Sequence, residues 1–228
     1  MWSRRLPHLR NNIMIRILPV TDYFQVNTYF IIDETTRSGF LIDPGAQADL
    51  ILKIIKENKW NIEKILLTHG HFDHTGAVEK IQNALNIPAY ASKKADNYLL
   101  NPMLNLSKLC VGDRILENIN KIDTPIITLN TSDIHCKILE TPGHSQDSLS
   151  YYFPQESAVI VGDLFYQHGL GLTHFPGSDI DQLKESIKML LSKLPDDTVI
   201  YSGHSTPITI FQQKQKLALK GYDYLYNV

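Results

Sequence analysis

Cysteine is scarce in this chain: it occurs twice in 228 residues, at Cys110 and Cys136, and in no Cys-x-x-Cys spacing. That excludes a disulfide-held scaffold and a thiolate zinc site, and it points to a reducing, cytoplasmic setting. Long apolar runs are missing too. None reaches the roughly 18 residues that a membrane-spanning helix needs. No one sign of charge dominates either: 22 Lys and Arg stand against 24 Asp and Glu, a net charge of −2. Such a balance gives no general pull toward nucleic acid or an anionic membrane. The basic start, Met1 to Arg10, lacks the apolar stretch of a secretory signal, and patterned sequence begins only near Met14. We therefore read residues 1–13 as a loose extension and 14–228 as one domain, long enough to bury a sizeable core.

What remains is patterned as alternating strands and helices. Ile15 to Val20, Thr28 to Asp33 and Phe40 to Ile42 read as strands, and Asp43-Pro44-Gly45 stops the third with strong turn chemistry. Leu50, Ile51, Ile54 and Ile55 fall at helical spacing within 48–59. A strand over 62–68, a helix over 76–85, a strand over 89–91 and a helix from Lys93 to about Leu100 follow. The stretch 101–116 carries no period that assigns it. Strands then return at 126–129, 134–140, 149–153 and 158–161. A helix over 180–194, a strand over 199–201 and a helix over 211–220 close the chain. Two packed sheets covered by outer helices fit this order.

Histidine is abundant where cysteine is not. Of nine histidines, three lie in Thr68-His69-Gly70-His71-Phe72-Asp73-His74-Thr75, directly after a strand. Imidazole is the commonest protein metal ligand, and a carboxylate among histidines suits zinc, iron or manganese. His69 and His71, two apart, project to one side of an extended backbone. Asp73 and His74 diverge unless the chain turns there. One division gives His69 and His71 to one metal and Asp73 and His74 to another. His144 in Pro142-Gly143-His144, Asp163 in Gly162-Asp163 and His204 in Gly203-His204 each follow a strand through a glycine turn. Singly each is an ordinary turn residue or cap; beside the cluster they read as further ligands. His8, His135 and His168 are left as exposed or core histidines.

These residues together resemble the metallo-β-lactamase superfamily, with its His-x-His-x-Asp-His motif at 69–74 and later ligands at His144, Asp163 and His204. The likeness runs from Met14 to about Ile210. It implies an α+β fold, a four-layer αββα sandwich, with a site for two divalent ions, zinc foremost and iron or manganese as alternatives. It assigns His69, His71 and His144 to the first ion, Asp73, His74 and His204 to the second, and Asp163 as the bridge. Asp43 resembles the family's supporting aspartate. Class B β-lactamases tend to carry cysteine at the position of Asp163, so the resemblance points away from antibiotic hydrolysis. Within the superfamily the chain is most similar to glyoxalase II in a short form lacking the C-terminal helical domain that binds glutathione. The segment after Asp163 places Leu172, Thr173, His174 and Phe175 beside the substrate. Leu172 stands where those enzymes usually carry a basic residue that helps bind glutathione, and Asp147-Ser148 replaces their glycine-containing turn.

The function expected is hydrolysis of a small-molecule thioester by a metal-bridging hydroxide, with Asp73 as both ligand and catalytic residue, in a monomer or homodimer. A mononuclear iron persulfide dioxygenase using the His69, His144 and Asp163 positions is the alternative, and a lactonase a closely related one. A non-catalytic metal module would need a closed site, and a complete two-metal ligand set argues against it.

Overall fold

The computed structural model describes residues 12–166 and 169–226. His8, His168 and residues 1–11 of the expected extension lie outside this range. Strand β1 (Ile13–Thr21) begins one residue ahead of the expected domain start and pairs antiparallel with β2 (Gln25–Asp33), which pairs likewise with β3 (Ser38–Ile42). Helix α1 (Ala48–Asn58) leads into β4 (Asn61–Leu66). Lys59 ends α1 in the left-handed conformation at φ 56°. Helices α2 (Phe72–Thr75) and α3 (Val78–Leu85) precede β5 (Ala89–Ala91). Helices α4 (Asp96–Leu99) and α5 (Ser107–Cys110) precede β6 (Asn120–Lys121). β3, β4, β5 and β6 pair in parallel and complete a first sheet ordered β1-β2-β3-β4-β5-β6.

The second sheet is built from β7 (Ile126–Thr128), β8 (His135–Glu140), β9 (Leu149–Phe153) and β10 (Ala158–Gly162). β11 (Phe165–Tyr166) and β12 (Gly169–Leu170) form a small separate hairpin. Helix α6 (Ile180–Lys193), β13 (Val199–Ser202), β14 (Ile208–Thr209) and α7 (Ile210–Ala218) follow, giving the order β14-β13-β10-β9-β8-β7. Asp179 caps α6 by accepting from the backbone N–H of Asp181 and Gln182, and Thr209 with Gln212 forms a capping box on α7.

Three apolar clusters define the layers. Ile51, Ile55, Val78 and Ile81 of α1 and α3 pack on Phe30, Ile32 and Leu41 of the first sheet. Because side chains alternate along a strand, Tyr29, Ile31, Phe40 and Ile42 face the other way, meeting Tyr151, Phe153 and Ile160 of the second sheet. Val159, Val161 and Ile200 then meet Leu183, Ile187 and Leu190 of α6 and Leu217 of α7. Helix, sheet, sheet, helix is the expected αββα sandwich. Among the described residues no helix is long and apolar enough to cross a membrane.

Two expected elements differ. The helix expected over 76–85 is present as α3 but starts two residues later, at Val78, because the Ala77 N–H donates to Pro44 O at 3.0 Å instead of continuing the ladder from α2. The helix expected from Lys93 is only one turn, Asp96–Leu99.

Candidate metal centre

β4 ends where the two sheets meet. The Leu67 N–H donates to Tyr90 O of the first sheet at 2.9 Å, while Thr68 O accepts from the Leu149 N–H of the second at 2.7 Å. The histidine cluster follows at once. His71 is on extended backbone, and α2 then supplies the turn that Asp73 and His74 need. One helical turn sets neighbouring residues about 100° apart rather than on opposite faces. His144, Asp163 and His204 come from the loops after β8, β10 and β13. The close approach depends on glycine: a Cβ on Gly203 would overlap Asp163 Oδ1 and the His74 ring.

Three imidazoles converge in the first half of the site. His69 Nε2 and His144 Nε2 each lie 3.0 Å from His71 Nδ1. Their outer nitrogens fix their tautomers. Thr68 Oγ1 donates to Asp43 Oδ2 at 2.6 Å, so it accepts from His69 Nδ1–H at 3.0 Å. His144 Nδ1–H donates to the Leu172 carbonyl at 2.8 Å. The inner nitrogens of His69 and His144 therefore aim lone pairs at one point. Burial, ahead of any neighbour, holds all three imidazoles neutral: His71 is lowered to about 3, and His69 and His144 fall below the usual range.

The second half mixes imidazole with carboxylate. His74 Nδ1–H donates to Asp43 Oδ2 at 2.9 Å, and His204 Nδ1–H to Gln25 O at 2.6 Å. His74 Nε2 then faces Asp163 Oδ1 at 3.4 Å, and His204 Nε2 faces Asp73 Oδ2 and Asp163 Oδ2 at 3.3 Å each. Burial opposes charge on these groups, but their mutual attraction prevails. His74 and His204 hold Asp163 well below the usual carboxylate range. The carboxylates raise His74 in turn and push His204 up to about 10.

Asp43, with φ 48°, ties the halves together. Its Oδ1 accepts from the Thr68 N–H at 2.8 Å, while its Oδ2 serves Thr68 Oγ1 and His74. His74 Nε2 and Asp163 Oδ1 are buried without a hydrogen-bond partner. Ligand atoms of His69-His71-His144, of His69-His74-Asp163 and of Asp73-His74-His204 lie within 4.8 Å of one another in each group. Converging lone pairs with unpartnered carboxylate oxygen between them fit divalent ions that take nitrogen and oxygen ligands.

The site opens into a cavity of about 460 Å³ whose lining includes His71, Asp73, His144, Asp163 and His204. Of the four residues expected beside the substrate, Leu172 and Phe175 line it, Thr173 and His174 are not among its described lining residues, and His174 packs on Phe175 at 4.3 Å between ring centroids. Sequence reasoning missed several participants. Tyr166 Oη donates to Asp163 Oδ2 at 2.8 Å. Tyr98 lies 6.0 Å from the His71 ring and accepts from the Gln146 N–H. Phe24, Leu106, Leu109 and Cys110 form much of the wall. The last three fall in the stretch without a period, where apolar residues lacking helix or strand spacing were the available signal. Asp147 now has a place: Ser145 Oγ donates to its Oδ1 at 2.7 Å, its other oxygen lies behind Gly70, and burial pushes its carboxyl up to about 7.

The chain belongs to the metallo-beta-lactamase superfamily, whose sequence profile matches residues 21–204. It is similar, at 34% identity, to the probable metallo-hydrolase YqgX of Bacillus subtilis (strain 168), over 87% of this chain and 94% of that protein. It is 30% identical to the hydroxyacylglutathione hydrolase GloC of Haemophilus influenzae, over 88% of this chain and 95% of that one. Among solved structures, the BLEG-1 B3 metallo-beta-lactamase matches with a TM-score of 0.82 and 31% identity, covering 89% and 97% of the two chains. TTHA1623 in a di-iron-bound form matches at 0.77 and 26%, covering 88% and 98%. The family and its metallo-hydrolase relatives make this chain an enzyme of a divalent-metal-dependent class.

Proposed function

We propose that the chain is a dinuclear metallo-hydrolase that cleaves a small-molecule thioester. The observation that carries this reading is the pair of half-sites joined at Asp163 and opening on one cavity. His69, His71 and His144 would hold one ion and Asp73, His74 and His204 the other, with Asp163 between them. Likeness to GloC over 95% of that protein supports the thioester, and the di-iron form of TTHA1623 supports two ions. When bound, such ions supply a hydroxide nucleophile near neutral pH and polarise the carbonyl.

The chain's own residues do the rest. Asp73 has a carboxylate oxygen on the cavity and faces His204, which suits it to orient the attacking water. Tyr166 donates to Asp163 and so fixes the carboxylate shared by both halves. Phe24, Leu109 and Phe175 supply apolar wall around the site. In the net reaction water adds to the carbonyl carbon and the C–S bond breaks. The acid leaves as carboxylate with one proton released, and the sulfur departs as a thiol. A thiol has a pKa of about 8.5, so its thiolate departs with little proton assistance.

The test is purification without added metal, elemental analysis, and a panel of S-lactoylglutathione, thioesters of other thiols, lactones, β-lactams and a persulfide with oxygen. Thioester cleavage with two ions per chain is expected. One iron per chain with persulfide-driven oxygen uptake would overturn the reading in favour of a dioxygenase. Asp73→Ala should lose both metal and turnover; full retention of either removes its proposed role.

A further inference from the structure

The cavity that serves the candidate metal centre has a largely apolar wall, and among its described lining residues the only acids are two of the candidate ligands. Phe24, Leu106, Leu109, Cys110, Leu172 and Phe175 line it, Asp73 and Asp163 are its carboxylates, and no lysine or arginine is among its described lining residues. Several of these apolar side chains meet solvent at its mouth: Leu109 is 68% exposed, Phe24 46% and Leu172 46%. Large apolar groups left in water around a concave site mark a surface that an apolar ligand covers. Two cations on the adjoining segment are engaged elsewhere. Lys108, beside Leu109 on α5, pairs with Asp113 at 2.8 Å, and Arg114 pairs with Asp22 at 2.6 Å. A glutathione conjugate brings two carboxylates, for which the described lining supplies no lysine or arginine.

We infer that the enzyme selects thioesters carrying an extended apolar group, on the acyl or the thiol side, over glutathione conjugates. This inference rests on the thioester reading above and narrows it to a substrate class. Phe175 packs edge-on to His71 and His144, at 5.9 and 5.7 Å between ring centroids, so an apolar chain against it would start beside the three-histidine half. Leu172 does two jobs: its carbonyl holds His144, and its side chain faces the cavity. A substitution there changes the wall while keeping the backbone acceptor.

The test uses the metal-loaded enzyme and two thioester series. One lengthens the acyl chain on a small neutral thiol, and the other lengthens the alkyl thiol of an acetyl thioester; S-lactoylglutathione is the comparison. In one series kcat/KM should rise roughly fourfold per added methylene until the cavity is filled, and that series identifies the side carrying the chain. S-lactoylglutathione should trail its longer members. Leu172→Arg should flatten the rise and improve S-lactoylglutathione relative to them. Rates independent of chain length in both series, or wild-type preference for S-lactoylglutathione, overturn the inference and leave a thioesterase. Calorimetric titration with straight-chain carboxylates from acetate to octanoate reads the same wall without turnover. If no thioester is cleaved, affinity rising with length upholds the apolar selectivity while the thioester reading falls. Equal affinity for acetate and octanoate overturns the selectivity itself.

Discussion

The two halves of the candidate metal centre both meet Asp163, which lies 3.5 Å from His144 Nε2 and 3.3 Å from His204 Nε2, and differ in almost everything else. His69, His71 and His144 are nearly sealed, at 1–2% exposure, and are held neutral by burial. As neutral imidazoles they can take a cation without net release of a proton. On the other side the His204 side chain is 25% exposed and Asp73 10%, and both line the cavity. There the carboxylates keep protons on His74 and His204, so a cation must displace those protons before it can bind. The same family of ligands thus gives one half that is preformed and one that is poised. The poised half meets the substrate cavity most openly. Burial sets the difference: it removes charge where only imidazoles meet, and strengthens charge pairing where carboxylates join them.

Removing the shared group should have the largest effect. Asp163→Ala takes a carboxylate from both halves and should lower turnover by at least about a thousandfold. Elemental analysis should show metal loss from both; loss confined to one equivalent would mean that Asp163 serves one half alone. Asp43→Asn comes next. It disturbs His74 directly and His69 only through Thr68, so affinity should fall about 10- to 100-fold at the carboxylate half, with a smaller change at the three-histidine half. Equal losses in a competition titration would remove the asymmetry. Tyr166→Phe is the mildest change. It deletes a single hydrogen bond to Asp163, worth about 1 kcal/mol, and a roughly fivefold drop in kcat with unchanged metal content is expected. An unchanged kcat would show that the hydroxyl does not matter for positioning.

Much of this arrangement was legible in the chain, for a local reason. The candidate ligands lie at four strand ends, each followed by a glycine-containing turn, so strand period and turn chemistry located them. Asp43 was legible in the same way. The divergence expected of Asp73 and His74 was resolved by α2, a turn too short to show a period. The later start of α3 at Val78 was not legible, because it depends on Pro44, remote in sequence and close in space. The cavity wall was hidden for the same reason. Leu106 sits at φ 68°, and only tertiary packing brings it, with Leu109 and Phe24, to the metal centre.

The central claim of a preformed half and a poised half is tested most directly by titrating the metal-free protein with zinc at several pH values, recording heat and proton release together. The first equivalent should bind with little proton release and nearly constant affinity across neutral pH, since His71 is held neutral down to about 3. The second should release protons from His74 and His204. His204 is raised to about 10, so its proton is in place at neutral pH and the second affinity should climb as pH rises toward that value. The expected slope is about tenfold per pH unit for each proton released. A single equivalent bound, or two equivalents with the same pH dependence, would contradict the account.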